Sequence, residues 1–533
     1  MALTSLAMAA VPDGPPPAGP LGLHDAADFV VTTGDYSSLA PPPRLYFAKE
    51  WIAVPRDGVP VAGFATGVTA FDDVRAWSTS VVAGSKPDVR PALVWIGSPE
   101  RMHGAKLAPD AKTMVADGAT RPFALAPRLA SNGSWFDASS ASYFTSRDVA
   151  LRGTWRGDGT FEARVLWPED FRLDARLPVA PLETSQGSVQ AALRTLVRAD
   201  GGGARTPWST RVVWERPRAA RSWDGKPVLI VMVNGAQGDD DEAWGGHFAI
   251  GTGRIGRGGD LADVMVDNFY SLDVVSEKGI LAAPTPLDAY LADLNSGQAW
   301  YRPSAILVAV LADDDAARRV QGAFDRVYAQ FWRHQLPYGH STMNCSGISV
   351  DTLRAAGWTL PEAPANLGAS ALGWLALPFT LVKERSVSQA RVAYEYLTQD
   401  RTRLFPAVAF EVVGASLVDL AQGRARADAS PLERALARDL EALVFVHVPQ
   451  LPSSRAFGSW PVASPAEYHG KVPTDPEDVK RVPVPARPYP SNLRDPDLLP
   501  PARRPSDLPL AVWVIVAVAA AVAVFGWVVA RFR

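Results

Sequence analysis

The sequence has a single cysteine, Cys345, among 533 residues. One cysteine excludes an intramolecular disulfide, a CxxC redox pair and any multi-cysteine zinc or iron–sulfur site. An excess of one charge sign is also missing, because 53 Lys and Arg oppose 56 Asp and Glu for a net charge of −3. This balance excludes a polycation that binds nucleic acid in bulk. The chain contains no HExxH, GxSxG or GxxxxGK[ST] pattern, so it lacks the usual signatures of zincins, α/β-hydrolases and P-loop proteins.

Charged residues are absent from one long segment at the C-terminal end. Residues 510–530 form an uncharged run of 21 residues, which as a helix would measure about 32 Å. The run predicts a membrane-spanning helix, with a buried core helix as the alternative. The predicted localisation is therefore a single-pass membrane protein with a C-terminal anchor, a bilayer as partner of residues 510–530, and a periplasmic or extracellular head.

Proline divides the rest of the chain. Of 46 prolines, 15 fall between residues 449 and 509, and proline fixes φ and removes backbone donors. The composition predicts an extended Pro-rich stalk over residues 448–509. At the other end, residues 1–24 have a short apolar stretch but no Lys or Arg before it, which indicates a disordered segment or a degenerate signal peptide.

The head between these ends is predicted to be α+β. Residues 25–220 read as a β-rich domain, with a hairpin in which VALRGTW and TFEARVLW flank a Gly157–Gly159 turn. Its many tryptophans are interpreted as packing of a β-sandwich, with a glycan-binding groove as the alternative. Residues 225–447 read as buried strands followed by helices, including a helix over 313–334 and one opened by a capping box at Ser430.

Two motifs of the second domain are interpreted without a cofactor or a metal. GTGRIG at residues 251–256 matches GxGxxG, but glycines and a strand follow it where a dinucleotide site requires a helix. A glycine-rich hairpin loop is therefore predicted, and no nucleotide partner. The acidic run at residues 239–242 does not have EF-hand spacing, so a solvated loop is favoured over an ion-binding sensor.

The surroundings of Cys345 are those that a nucleophilic thiol needs. Asn344 is a good N-cap, so Cys345 and Ser346 would lie in the first helical turn, where free N–H groups favour a thiolate and can hold an oxyanion. The pattern places a base, His247, on a strand. The next strand offers Asn268, Asp267 or Asp273 to orient the imidazole. On composition alone, the alternative is a buried cysteine that serves as a small apolar residue.

Three segments carry a resemblance to a known family: GGHFAIGTG, VDNFYSLDV and YGHSTMNCSGISVDTLRAAGW. Over about residues 225–360 the chain resembles the circularly permuted NlpC-like branch of the papain-fold thiol hydrolases, whose relatives include cell-wall amidopeptidases and lecithin retinol acyltransferase. The resemblance implies that Cys345 is the nucleophile and His247 the base, with Asn268 as orienting residue and Asp267 in reserve. Tyr338 and His340 would line the pocket, and His340 is a rival base.

The sequence therefore predicts an α+β fold: a papain-like domain preceded by a β-rich domain and followed by one C-terminal transmembrane helix. The predicted function is a membrane-anchored cysteine hydrolase or acyltransferase that acts on an envelope peptide, glycan or lipid. Two other hypotheses stay open at this point: a non-catalytic binding or scaffold protein with an inert papain-like domain, and the ion-binding sensor.

Overall fold

The structure is a computed structural model, and its described residues form a series of ranges. These ranges are 21–23, 29–32, 52–55, 59–81, 86–92, 95–96, 100–125, 138–184, 187–199, 207–217, 219, 222–235, 244–270, 282–291, 303–331, 335–339, 341, 343–365, 367–384, 387–450 and 460–471.

Strands and helices alternate irregularly along these ranges. The strands are β1 (Phe29–Thr32), β2 (Ile52–Pro55), β3 (Trp95–Ile96), β4 (Glu100–Leu107), β5 (Thr113–Ala116), β6 (Ala119–Leu125), β7 (Val149–Trp155), β8 (Phe161–Pro168), β9 (Ser209–Glu215), β10 (Pro227–Asn234), β11 (His247–Arg254), β12 (Met265–Asp267), β13 (Thr285–Pro286), β14 (Ser304–Leu311) and β15 (Leu440–Val448). The helices are α1 (Ala70–Ser80), α2 (Ala138–Thr145), α3 (Val189–Arg198), α4 (Leu287–Leu291), α5 (Asp315–Phe331), α6 (Cys345–Ala355), α7 (Leu367–Glu384), α8 (Val387–Thr398), α9 (Arg401–Leu404), α10 (Pro406–Ala421), α11 (Pro431–Asp439) and α12 (Pro465–Lys471).

A seven-stranded antiparallel sheet organises the molecule. Its strand order is β13-β12-β11-β10-β14-β15-β9. The edge strand β9 comes from the N-terminal part of the chain and pairs with β15. The domain boundary predicted near residue 220 therefore cuts through this sheet, because strand pairing joins segments that are more than 220 residues apart in the chain.

Two apolar cores lie on the two faces of this sheet. Every residue of β10 is buried, as expected for a central strand covered on both faces. Alternation along the strand places Leu229 and Val231 in a core shared with α5, α6 and α10, called here the helix-side core. Val228 and Ile230 belong to the second core, called the barrel-side core.

The barrel-side core is closed by a small barrel of the strands β4-β5-β6-β8-β7. The predicted hairpin is confirmed as β7 and β8, which pair in antiparallel register from Val149↔Pro168 to Trp155↔Phe161. The predicted β-sandwich is wrong, because β4 pairs with β7 and closes the strands into a barrel. Trp167 is 1% exposed inside it, so this ring packs in the core as predicted.

Several helices occur where local sequence patterns predict them. The helix predicted over 313–334 is α5, which begins two residues later, at Asp315; residues 332–334 lie outside the described residues. The capping box at Ser430 is confirmed, with reciprocal bonds between the Ser430 and Glu433 side chains and the backbone. The GTGRIG segment ends β11, and the chain turns back into β12 without opening a helix. The glycine-rich hairpin is therefore confirmed, while the acidic run 239–242 lies outside the described residues.

The predicted fold class and localisation need a correction, because both included a membrane-spanning helix. No helix within the described ranges is long and apolar enough to cross a bilayer. The strongly apolar α10 has only 16 residues, short of the roughly 20 that a span requires, and it is buried in the helix-side core. The structure shows an α+β protein with a barrel and a sheet. The predicted span at 510–530 itself lies outside the described residues.

Part of the predicted stalk is packed against the head. Residues 460–471 include α12, and Val462 is buried with its N–H bonded to the Trp244 carbonyl at 3.1 Å. Residues 472–509 lie outside the described residues, as do 1–20. In the predicted signal segment, the Gly22 N–H donates to Gln321 Oε1 at 2.8 Å. Proline content alone thus misplaced the start of the stalk.

Candidate functional site

Cys345 is the first residue of α6, as the sequence predicts. Asn344 caps this helix: its Oδ1 accepts from the Gly347 N–H at 2.9 Å, while its Nδ2 donates to the Leu404 carbonyl at 3.0 Å. The cap fixes where the helix begins. Because N–H groups of a first turn have no acceptor within the helix, the thiol lies at the positive end of the α6 dipole, which favours negative charge there.

The thiol is enclosed. Cys345 is 5% exposed, Ser346 is fully buried, and Cys345 Sγ lies 4.0 Å from Ser346 Oγ. A short backbone bridge between Gly339 and Met343 forms the approach to the helix. The predicted pocket residue Tyr338 precedes this bridge and packs against the helix-side core. The sulfur is therefore largely shielded from solvent.

A further contact ties this approach to α8. Ser341, between the two bridge residues, donates to Glu395 Oε2 at 2.8 Å, and Glu395 also accepts from Arg391. The other predicted pocket residue, His340, and the candidate Asp273 lie outside the described residues.

His247 is the first residue of β11, directly after a glycine that the backbone requires. Gly246 has φ +69°, and a Cβ there would lie 2.3 Å from the Asn234 carbonyl oxygen and 2.6 Å from Pro461 Cβ. Glycine accepts this conformation without steric cost. The two glycines before His247 do not leave that side of the residue open, because Pro461 occupies the space beside Gly246.

The His247 imidazole lies beside two tyrosine rings. It stacks on Tyr270 with centroids 4.4 Å apart and planes 7° apart, and the Tyr290 centroid is 6.2 Å away. Tyr270 belongs to the helix-side core and Tyr290 to the barrel-side core. The ring, in a residue that is 2% exposed, is therefore held at the end of the sheet, where the two cores meet.

A polar group that the sequence interpretation missed stands beside His247. Asn234 is its cross-strand partner on β10. Its Nδ2 donates to Ser304 Oγ at 2.8 Å, and its Oδ1 accepts from the Tyr290 hydroxyl. The sequence feature that could have identified Asn234 is the Asn-Gly pair that ends the apolar run of β10. Only the strand register shows that this pair lies opposite His247.

Strand register also distinguishes Asn268 from Asp267 as a possible neighbour of the His247 imidazole. Asp267 pairs with Ile250, which packs in the helix-side core. Asn268 directly follows the last residue of β12; alternation continued by one residue would place it on the opposite face, the face on which alternation along β11 places His247. Asn268 is 1% exposed, and its backbone carbonyl accepts from the Tyr328 hydroxyl at 2.8 Å. The register therefore favours Asn268 over Asp267 as a neighbour of the imidazole.

Electrostatics give a second reason against Asp267. Burial, followed by the nearby Asp325 carboxyl, raises the pKa of Asp267 well above its usual value. A protonated carboxyl cannot stabilise an imidazolium as a carboxylate does. Asp267 belongs instead to an acidic pair with Asp325 on the helix side of β12.

Helix α6 packs against β11 on the helix-side face of the sheet, while alternation from Phe248 directs the His247 side chain to the same face as Ala249 in the barrel-side core. Each begins with a chemically competent residue, Cys345 and His247. The direct pairing of imidazole and thiol stays a prediction. Such an arrangement can supply a nucleophile, a base and oxyanion donors for acyl transfer.

Comparisons with known proteins add no relative. No protein-family model matches the chain, no curated protein is significantly similar to it, and no solved structure matches its fold at significance. The NlpC-like resemblance therefore stays a prediction.

Proposed function

We propose that the protein is a thiol-dependent acyl-transfer enzyme, a hydrolase or an acyltransferase. His247 takes the proton of Cys345, and the thiolate attacks the carbonyl carbon of an amide or ester. The tetrahedral oxyanion is held by N–H groups at the start of α6. His247 then protonates the leaving amine or alcohol as the thioester forms, and water or an acceptor alcohol or amine releases the acyl group.

The observation that supports this proposal is the position of the only cysteine. It is the first residue of a helix whose cap satisfies the N–H of Gly347 through Asn344. N–H groups of a first helical turn have no acceptor within the helix and are the kind of donor that stabilises an oxyanion. A cysteine at random in a helical core would not meet these conditions. His247 at the start of the adjoining β11 supplies the second group that acyl transfer needs.

The competing hypothesis is an inert domain that binds or supports a partner. The burial of both candidate catalytic residues supports this hypothesis, because Cys345 is only 5% exposed and His247 only 2%. An inert thiol would remain protonated through neutral pH and would ionise at or above the ordinary cysteine value of about 8.5, because burial disfavours a thiolate.

Thiolate absorbance at 240 nm separates the two hypotheses without requiring a reagent to reach the sulfur. The difference spectrum between wild type and Cys345→Ser, followed from pH 4 to pH 10, reports one group because the chain has one cysteine. We expect thiolate already at pH 6. The same chain in denaturant is an internal reference, and a folded-state titration that coincides with it would count against the enzyme.

Iodoacetamide labelling then tests the base. We expect the folded wild type to react at pH 6 at least about tenfold faster than the denatured chain, and His247→Gln to remove this advantage. His447→Gln is the matched control, because His447 is another buried histidine of the same sheet, on β15. If both histidine variants label equally fast, His247 is not the base.

A further inference from the structure

Helices α7 and α8 form an antiparallel hairpin that stands apart from both cores. Each of the two helices packs mainly on the other. Two buried residues between them, Leu381 and Ala390, form a cluster separate from the helix-side and barrel-side cores. The Ser341 hydroxyl joins the hairpin to the head by donating to Glu395 Oε2 at 2.8 Å. Because Glu395 lies near the C-terminal end of α8, the hairpin is attached near its open end, and its turn projects from the head.

The outer surface of this hairpin is apolar. Leu372 and Phe379 are 55% and 71% exposed, and they lie about two helical turns apart on one face of α7. Trp374 on α7 and the residues Val387 and Tyr396 on α8 are also exposed. Five of the nine exposed large apolar side chains in the described residues thus belong to these two helices. A concentration of this kind marks a binding surface, whereas scattered single residues do not.

Charge is missing from most of α7. Residues 367–382 contain no Asp, Glu, Lys or Arg, although a helix that faces water normally carries charged residues on its outer side. A helix without such a polar face is typical of a protein core or of a lipid phase. Leu372 and Phe379 belong to neither core of the described residues. The outer face of α7 therefore lacks the apolar surroundings that its composition predicts.

Shape and chemistry favour a lipid surface over a protein partner at this face. Partner helices bind in grooves, whereas this hairpin is a projection. Protein interfaces also carry about one hydrogen bond per 100–200 Å², and the side chains of Leu372, Phe379 and Val387 have no donor or acceptor. A bilayer requires no such pairing, and helices with exposed Leu, Phe and Trp on one face are those that lie in its interface.

The aromatic and charged residues of the hairpin fit the same orientation. Trp374 contacts Tyr394 edge to face, with centroids 4.8 Å apart. Trp and Tyr rings are apolar with one polar group, which suits the headgroup level of a membrane. Residues 383–385, at the turn between the helices, are all charged, and charge is costly in hydrocarbon. The hairpin would therefore lie along the bilayer surface and would not insert its turn.

We propose that the α7–α8 hairpin binds a lipid bilayer, with Leu372 and Phe379 at the acyl-chain boundary and Trp374 at the headgroup level. The apolar face would be buried about 5–10 Å into this boundary. The contact is made by the folded head and does not cross the bilayer. Residues 510–530 lie outside the described residues and carry none of this argument. The proposal is also independent of the thiol chemistry of Cys345.

A fluorescent label on the hairpin reports its surroundings directly. Because the chain has one cysteine, Val387→Cys in the Cys345→Ser background carries the dye NBD at a single place. We expect aqueous emission in buffer and a blue shift with increased intensity on vesicles of phosphatidylcholine and phosphatidylglycerol at about 3:1. The matched control is the same label at Val115→Cys, an exposed residue of β5, which should not respond.

Polar replacements on α7 test whether its outer face makes the contact. In the chain labelled at residue 387, Leu372→Gln combined with Phe379→Gln should weaken vesicle binding at least about tenfold, because the burial of two large apolar side chains is lost. Val68→Gln combined with Val115→Gln, two exposed residues elsewhere, should leave binding unchanged. All four side chains are exposed, so melting temperatures should change little and a loss of binding would not reflect unfolding.

Four results would overturn the proposal. A label at residue 387 that keeps its aqueous emission on vesicles would exclude lipid contact, even if another part of the chain binds them. Equal responses at residues 387 and 115 would indicate non-specific adsorption. Unchanged binding after both α7 replacements would show that this face is not the contact. A blue-shifted label in buffer alone would mean that the hairpin is covered by this chain or, if the shift depends on protein concentration, by a second copy.

Discussion

Two clusters of charged side chains lie on opposite faces of the same sheet. They differ in how the cost of burying charge is offset. On the barrel side, Arg152 donates to Asp288 at 2.9 and 3.1 Å and to Asp263 at 2.6 Å. Burial disfavours the charged guanidinium, but the two carboxylates outweigh this effect, so the pKa of Arg152 is raised. The barrel is thereby joined to the sheet by charges that the chain itself balances.

On the helix side, Asp267 and Asp325 have no such partner among the described residues. Burial is the largest cause acting on both, and the pKa of each carboxyl is raised well above its usual value. The comparison shows that burial alone does not determine the state of a carboxyl. Burial raises the pKa of Asp288 even beside Arg152 and Arg101, and only the half-exposed Asp263 has its pKa lowered, because the two arginines outweigh its desolvation. The helix-side pair has no cationic partner among the described residues to oppose burial.

The largest effect is expected from breaking the balanced cluster. Arg152→Met leaves Asp288, which is 1% exposed, without its main partner, and removal of one partner of a buried ion pair costs about 3–5 kcal/mol. Urea unfolding followed by tryptophan fluorescence measures the loss. The control is Arg156→Met on the same hairpin, whose pair with Glu162 is more exposed and contributes about 1 kcal/mol or less.

A double variant sharpens this result. Arg152→Met combined with Asp288→Leu removes both charges, and apolar replacement of a buried pair is often neutral or stabilising. We expect the double variant to be more stable than Arg152→Met alone. A double variant that is as unstable as the single one would show that Arg152 stabilises the fold mainly through the packing of its side chain.

The unbalanced pair should produce a pH dependence of stability. In the folded chain, Asp267 and Asp325 keep protons at a pH where the unfolded chain releases them, so the folded state binds more protons. Stability therefore falls as pH rises from about 4 through the folded pKa, by up to about 1.4 kcal/mol per pH unit for each proton. Urea midpoints at successive pH values measure the slope.

The double variant Asp267→Asn, Asp325→Asn should flatten this slope, and Asp73→Asn should keep it, because the Asp73 carboxyl already has a cationic partner in Arg326. A slope that persists after both carboxyls of the pair are removed would assign the pH dependence to other groups.

The smallest effect concerns a neutral hydrogen bond beside the acidic pair. Tyr328→Phe removes the bond to the Asn268 carbonyl, which should cost about 1 kcal/mol. The urea midpoint at pH 7 measures it. Combined with Asp267→Asn, the losses should add to within about 0.5 kcal/mol if the tyrosine acts through this bond alone; larger coupling would mean that the hydroxyl also senses the carboxyl.

Local signals predicted the elements of the candidate site well. Asn344 before Cys345 has the sequence pattern of a capped helix start, and the structure confirms the cap. The strand that carries His247 and the glycine hairpin after it are likewise confirmed. These features depend on residues a few positions apart, so the sequence contains the information directly.

Contacts between distant segments were not predictable in the same way. Asn234, Tyr270 and Tyr290 surround His247 only because β10, β11 and α4 meet at one end of the sheet. The pairing of β9 with β15 joined two regions that composition had separated. Proline density suggested a stalk from residue 448, yet Val462 is buried against the head.

The sequence by itself determined that one thiol exists, that it begins a helix, and that a histidine begins a strand. The tertiary structure decided which side chains share a face. The pairing of Asp267 with Ile250 directs Asp267 towards α5 and Asp325, and alternation continued one residue past the end of β12 would direct Asn268 to the opposite face. Two adjacent residues of similar size thus belong to different sites, because a strand sends neighbouring side chains in opposite directions and only its partners fix which direction is which.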